Sequence, residues 1–229
     1  MRASTLVIKY LEKDVEKVRC EVSKWQFMSK LMGEQYITFT CQSENPIPFK
    51  VGDFCVYRGQ TYTLNYIPSA KQKARPGEIG DAFVYDSVKM DSVRDELGRV
   101  IMLDITPTTG DYVAALGTNY TGSAVFSLYC GESTALGKTL TPVCALAAKM
   151  QANLDRAYPK SGWKVLVDTE SKHEEGGTMV LNTHTDEKVL SFDNTTVASA
   201  LSEVKNTFDL NFCVVGRTIY IGYTFGSIN

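Results

Sequence analysis

Between Leu6 and about Ile105 the chain is a succession of short apolar runs. Hydrophobic residues recur at every second position in several of them, with turn formers between, which fits strands and not helices. In one such strand Val18, Cys20 and Val22 face one way while Arg19, Glu21 and Ser23 face the other. Ile37, Phe39 and Cys41 alternate with Thr38 and Thr40 until Glu44-Asn45-Pro46-Ile47-Pro48, where two prolines remove ladder donors and stop the strand. Gly52 to Tyr57 and Tyr62 to Ile67 flank Arg58-Gly59-Gln60-Thr61, a hairpin in which the glycine supplies positive φ. Two further strands are expected, Ala82 to Met90 and Arg99 to Ile105, with Gly98 at the turn before the second. No helix is expected before residue 135. Many short strands at regular spacing imply a barrel or sandwich.

The stretch Ser69 to Asp81, with Lys71, Lys73 and Arg75 among prolines and glycines, reads as an exposed, mobile loop. Its basic residues could touch a partner, but charge runs usually face water.

After Pro107-Thr108-Thr109-Gly110 the pattern changes. A helix is expected from Thr141 as N-cap with Pro142 at its first position, aligning Val143, Leu146, Ala147, Met150 and Leu154 on one stripe. A second helix, capped by Asn194 or Thr195, aligns Val197, Ala200, Leu201, Val204 and Phe208. Strands from Lys188 to Phe192 and Leu210 to Val215 bracket it, the latter turning at Gly216-Arg217 into Thr218 to Gly222, and a further strand runs from Trp163 to Val167. The expected class is α+β, mainly β. A β-barrel-like domain occupies residues 1–110, with strands from 111–134 as candidates to complete it, and an α+β domain with two amphipathic helices occupies 135–229.

Composition removes several functions. With 24 Lys plus Arg against 26 Asp plus Glu, no basic stripe is available for specific nucleic-acid readout. No apolar run reaches the length of a membrane span, and none before Lys9 has the length of a secretory signal, so no membrane partner is expected. The six cysteines, Cys20, Cys41, Cys55, Cys130, Cys144 and Cys213, form no C-x-x-C pair. Zinc is disfavoured, and free thiols in apolar runs indicate synthesis in a reducing cytosol.

No nucleophile elbow, P-loop, H-E-x-x-H or dinucleotide fingerprint occurs. His173 with Glu174 and Glu175, and His184 with Asp186 and Glu187, could converge on a divalent metal, but both lie in polar, turn-like sequence that rarely supplies a rigid second shell. Cys130 or Cys144 could serve a Cys/His hydrolase; Cys144 stands at a helix start, which lowers a thiol pKa, yet lies between Val143 and Ala145. Trp25 and Trp163 could stack on a saccharide, although aromatics on strands more often pack in cores or across strands. The residues thus point to no enzyme and to no catalytic, cofactor-binding or metal site.

Several segments carry a resemblance. Asn153 to Tyr158 before Gly162-Trp163-Lys164-Val165, Val189 to Leu201, Phe208-Asp209-Leu210-Asn211-Phe212 and Gly216 to Gly222 resemble the tail-hub proteins of bacteriophages and prophages, a family that includes proteins called prophage tail endopeptidases. Pro48-Phe49-Lys50-Val51-Gly52-Asp53-Phe54, leading to Gly59-Gln60-Thr61-Tyr62-Thr63-Leu64, is similar to the family segment in which a Gly-Asp pair opens a hairpin that returns through a Tyr strand. The resemblance implies β-barrel domains related to tail-tube subunits and a homotrimer that joins the tube, or a distal tail protein, to a tip, fibre or spike protein. It implies a place in the virion tail and assembly in the cytoplasm of a bacterial host. No nucleophile, base or metal set is present to carry over an endopeptidase activity. Family members commonly continue beyond the last hairpin, so the chain is expected to be an N-terminal part of a longer protein.

Two other classes compete. Strand, helix, hairpin units like residues 188–222 also resemble the short N-terminal domains of secretins and TonB-dependent receptors. A tail-associated cell-wall peptidoglycan hydrolase is the third reading.

Overall fold

The computed structural model describes residues 5–30, 34–74, 81–105, 122–135 and 137–223. The chain divides into two compact units, Met1–Asp95 and Glu96–Asn229. The expected boundary near residue 110 lies outside the described residues, as do Arg75 and Pro107 to Gly110. The protein is mainly β with two α-helices, an α+β composition.

The first unit is one antiparallel, eight-stranded sheet. It comprises β1 (Leu6–Glu12), β2 (Val15–Val22), β3 (Lys24–Ser29), β4 (Gln35–Ser43), β5 (Phe54–Tyr57), β6 (Gln60–Thr63), β7 (Lys71–Ala74) and β8 (Asp81–Ser92). Seven strands pair in the order β2-β1-β5-β6-β8-β4-β3, and β7 pairs with β8 beside this path. β2 and β3 lie at opposite ends of the path, yet Ser23 alone separates them in sequence. That short link curls the sheet into a half-barrel. Ile8, Val22, Ile37, Phe39, Tyr62, Val88 and Met90 are buried in one cluster on its inner side. Phe27 of β3 lies with ring centroids 5.2 Å from Tyr57 and 6.1 Å from Tyr62, across the curl.

The expected hairpin forms with a shorter loop: Gln60 and Thr61 pair with Tyr57 and Val56, so the return strand is Gln60–Thr63 and not Tyr62 to Ile67. Arg58 and Gly59 both adopt positive φ, the conformation of a two-residue type I′ hairpin, whose twist matches the strands it joins. Two further readings are corrected. The period-two alternation of β2 breaks at Arg19: Ile8 pairs with Cys20 and Lys9 with Val18, so Arg19 is the extra residue of a β-bulge. Val18, expected on the face of Cys20 and Val22, is therefore 58% exposed, whereas the Arg19 side chain is buried. Lys71 to Ala74, expected in a loop, forms β7, because the edge of β8 offers its backbone a ladder from Lys71 opposite Val84 to Ala74 opposite Asp81.

Val93–Gly98 forms a 3₁₀ turn, a short helical element not expected so early in the chain. The second unit contains β9 (Val125–Cys130), β10 (Ser133–Ala135), β11 (Lys138–Leu140), α1 (Val143–Ala157), β12 (Lys164–Val167), β13 (Lys172–Glu175), β14 (Thr178–Leu181), β15 (Lys188–Asp193), α2 (Val197–Asn206), β16 (Phe212–Val215) and β17 (Thr218–Ile221). Both helical stripes are buried as their periodicity requires. α1 packs on β9, β12 and α2. Neither cap is the one expected. Thr196, and not Asn194 or Thr195, caps α2 by accepting from the Ser199 N–H at 3.2 Å. At α1 the Thr141 side chain makes no cap bond and reaches Thr183 Oγ1 at 3.3 Å.

Pairing in this unit also departs from sequence order. β9 pairs with β15, from Lys188 opposite Cys130 to Asp193 opposite Val125, and not with the first sheet. β12 runs parallel to β17 in a sheet ordered β12-β17-β16. Arg99 to Ile105, expected as a strand, has only an isolated bridge from Ile101 to Thr196. Its backbone is satisfied otherwise. Asn153 Oδ1 accepts from Leu103 N–H at 2.9 Å while its Nδ2 donates to Leu103 O at 3.1 Å, so one side chain stands in for a strand partner. Arg156 donates to Ile101 O, and Met102 N–H donates to Thr195 O.

Candidate functional site

The residues with catalytic or ligating chemistry lie apart. His173 stands on β13, an exposed hairpin strand; its Nδ1 is 3.1 Å from Asn182 Oδ1 and its Nε2 3.9 Å from Glu175. His184 lies in the exposed loop after β14, where its backbone N–H donates to Leu181 O. Among the described residues no three His, Cys, Asp or Glu side chains form a group able to hold a metal ion. Cys130 is fully buried, and burial pushes its thiol up to about 11, the wrong direction for a nucleophile. Cys144 is half-buried, with Sγ 3.6 Å from Thr141 Oγ1. These thiols and imidazoles thus point to other partners than one another. Among the described residues no helix is long and apolar enough to cross a membrane.

The tryptophans serve packing. Trp163 is buried and its indole N–H donates to Glu96 Oε2 at 2.7 Å, while Arg217 holds the other carboxylate oxygen at 2.6 Å. Trp25 packs edge-on against Tyr57 at 5.0 Å. Beside it lies an open depression of about 440 Å³ at Lys24, Gln26, Thr38, Thr40 and Ser87. Lys24 is the single titratable group in its lining, so it offers no acid–base pair.

The most constrained polar feature of the first unit was missed by sequence reasoning. The bulge that releases Arg19 from the ladder turns its guanidinium onto Asp53, with Nε to Oδ2 and Nη2 to Oδ1 both at 2.9 Å. Both side chains are nearly inaccessible, at 8% and 2%. Asp53 also accepts from Lys50 N–H at 3.0 Å, and Arg19 lies 3.9 Å over the Tyr10 ring. The Gly52-Asp53 pair was visible as a hairpin opener. Its partner 34 residues earlier was not.

A second node ties the end of the other unit together. Thr183 Oγ1 donates to Asp168 O at 2.6 Å, and Asp168 Oδ1 accepts from the N–H groups of Glu170 and Ser171 at 3.1 and 3.0 Å. Burial raises the Asp168 pKa, but the bonds from Ser171 and Glu170 together outweigh it and hold the carboxyl below its ordinary 3.8. A folded-state value below the unfolded one means that the contribution to stability is complete above the ordinary value and is lost as pH falls through the folded one. Asp168→Asn is therefore expected to flatten the acid limb of the stability profile. Unfolding midpoints measured from neutral pH to about pH 2 check this, and parallel profiles for the two proteins would refute it.

Exposed apolar side chains gather in two places. Leu11, Val15 and Val18 stand on the β1–β2 hairpin, and Val125, Tyr129 and Val189 on the β9–β15 ribbon, where Tyr129 and Val189 are directly opposed. Tyr129 and Val189 form an exposed apolar cross-strand pair, whereas Leu11 and Val18 share one face of their hairpin and Val15 lies on the other.

No protein-family model matches the chain, and no curated protein matches it by sequence. Solved structures similar to it include two tail proteins. One is a prophage tail protein, gp18, from Listeria monocytogenes, with 7% identity and a TM-score of 0.46; the other is a tail protein from Neisseria meningitidis, with 13% identity and a TM-score of 0.44. Each alignment covers 95% of this chain and 50% of the other, so the chain spans about half the length of the proteins it resembles.

Proposed function

We propose that this chain is a structural component of a phage or prophage tail, a baseplate-hub or tail-tip protein that links the tail tube to the tip or fibres as a homotrimer. One observation carries the reading: the segments that resemble tail hubs in sequence form paired strands, hairpins and a helix of the fold. Pro48 to Leu64 forms the β5–β6 hairpin whose Asp53 is locked to Arg19. Val189 to Gly222 forms β15, α2 and the β16–β17 hairpin. A curled antiparallel sheet followed by an α+β unit fits a tube-related adapter, a role that rests on interfaces and needs no catalysis. Its expected place is the virion tail, after assembly in the bacterial cytoplasm, with tail-tube or distal tail proteins and a tip, fibre or spike protein as partners.

The test is absolute mass in solution by light scattering across a wide concentration range. A species near three times 25.4 kDa is expected as concentration rises. A monomer at every concentration counts against the trimer. Peptidoglycan release that vanishes on substitution of Cys130, Cys144, His173 or His184 would replace the structural reading with the hydrolase.

A further inference from the structure

We propose that Cys20 and Cys41 are a disulfide-forming pair that staples together the two ends of the first unit's sheet. Cys20 stands on β2, the last strand at one end of the pairing order, and Cys41 on β4, next to last at the other. They share no ladder, since Cys20 is opposite Ile8 and Cys41 opposite Tyr85. The curl nevertheless lays β2 against β4, and both cysteines pack there on the same buried cluster with their thiols near enough to interact. Each lies beside a bulge: Arg19 is the extra residue on β2 next to Cys20, and opposite Phe39 to Cys41 the extra residue is on β8, between Tyr85 and Val88. Bulges add local bend and twist to a sheet, which helps the curl to bring two cysteines on unpaired strands together. Both thiols are free and half-buried.

The contact divides the pair chemically. The hydrogen bond from Cys20 holds the Cys41 thiol below its ordinary 9.0, so Cys41 is the attacking group. The same bond, with burial, raises Cys20, which keeps its proton until Cys41 has reacted. The oxidant class is a small disulfide such as oxidised glutathione. Cys41 thiolate attacks one of its sulfurs, forming a mixed disulfide and expelling one glutathione thiolate, which takes up the Cys20 proton. Cys20 thiolate then attacks the Cys41 sulfur and expels the second glutathione. Two protein thiols are oxidised to one disulfide, and one glutathione disulfide is reduced to two thiols. Cys55 and Cys130, buried with thiols pushed up to about 12 and about 11, compete poorly. Residues 20 and 41 close a loop containing all of β3, so the bond restricts the unfolded chain and pins the curl. The inference stands on the first unit alone and is independent of the tail reading.

The native protein, equilibrated with defined mixtures of reduced and oxidised glutathione, acid-quenched, alkylated and digested with trypsin, tests it. Cleavage after Arg19 and Lys24, and after Lys30 and Lys50, isolates the two cysteines on separate peptides. The expected result is a single species in which these peptides are linked, with an intact mass lower by two hydrogens, a raised unfolding midpoint and full reversal by dithiothreitol. Cys20→Ser is expected to leave glutathione on Cys41, and Cys41→Ser to abolish the linked species. Should either variant fail to fold, the wild-type peptide map decides. Separate alkylation of both residues in the most oxidising mixture, or glutathione on each with no link, overturns the proposal.

Discussion

Asp53→Ala is expected to destabilise the first unit by about 3–5 kcal/mol, the range for breaking one side of a buried ion pair. The physical cause is what remains. Arg19 would keep a guanidinium that is 8% exposed, with no carboxylate opposite it, and Lys50 N–H would lose its acceptor. Trp25 in this unit and Trp163 in the other are the two tryptophans of the chain, so fluorescence in a Trp163→Phe background reports the first unit. The denaturant midpoint should fall with little change in slope. Replacing both partners, Arg19→Met with Asp53→Leu, is expected to recover most of the loss, because the desolvation of two charges disappears with the charges. A loss below about 1 kcal/mol for Asp53→Ala would mean that the pair behaves like a solvated surface bridge.

Gly222→Ala is expected to destabilise the second unit by about 2–4 kcal/mol, combining left-handed backbone strain with overpacking. Gly222 has φ +79°, and a Cβ there would stand 2.1 Å from Thr183 Cγ2. Thr183 cannot step aside, since it is fully buried with its hydroxyl bonded to Asp168 O and to Thr141. Thr183→Ser removes the offending methyl and keeps the hydroxyl. The double variant should therefore regain the steric part of the loss and retain the backbone part. Equal unfolding temperatures for Gly222→Ala with and without Thr183→Ser would show that contact with Thr183 is not the cause.

The outcome at particular residues shows which features were legible. The stripes of α1 and α2 were readable because helical spacing is local, and each of their ten expected core residues is buried. The hairpin at Arg58-Gly59 was readable from its glycine, but its loop was read two residues too long, because Gln60 and Thr61 carry no mark that separates a loop from a strand end. Helix capping was wrong by a residue or two at α2 and wrong in role at Thr141, because several adjacent hydroxyls compete and tertiary partners choose among them. The strand expected at Arg99 to Ile105 was the right extended conformation without a strand partner, since Asn153, fifty residues on, supplies the bonds. None of the candidate chemical residues signalled the Arg19–Asp53 pair, as a surface-facing arginine is what alternation assigns to position 19.

By itself the sequence determined the class of the protein, mainly β with two amphipathic helices, because period-two and helical hydrophobicity are set by burial of one face over a few residues. Its near balance of charge and its lack of catalytic spacings likewise follow from the residues alone. Tertiary structure decided everything that depends on which distant segments meet. It placed β9 against β15 and β12 parallel to β17, turned Arg19 inward through a bulge, and brought Cys20 to Cys41. Partner choice in a sheet is a comparison among many strands of similar pattern, and it is resolved by the packing of the whole unit and not by any one run of residues.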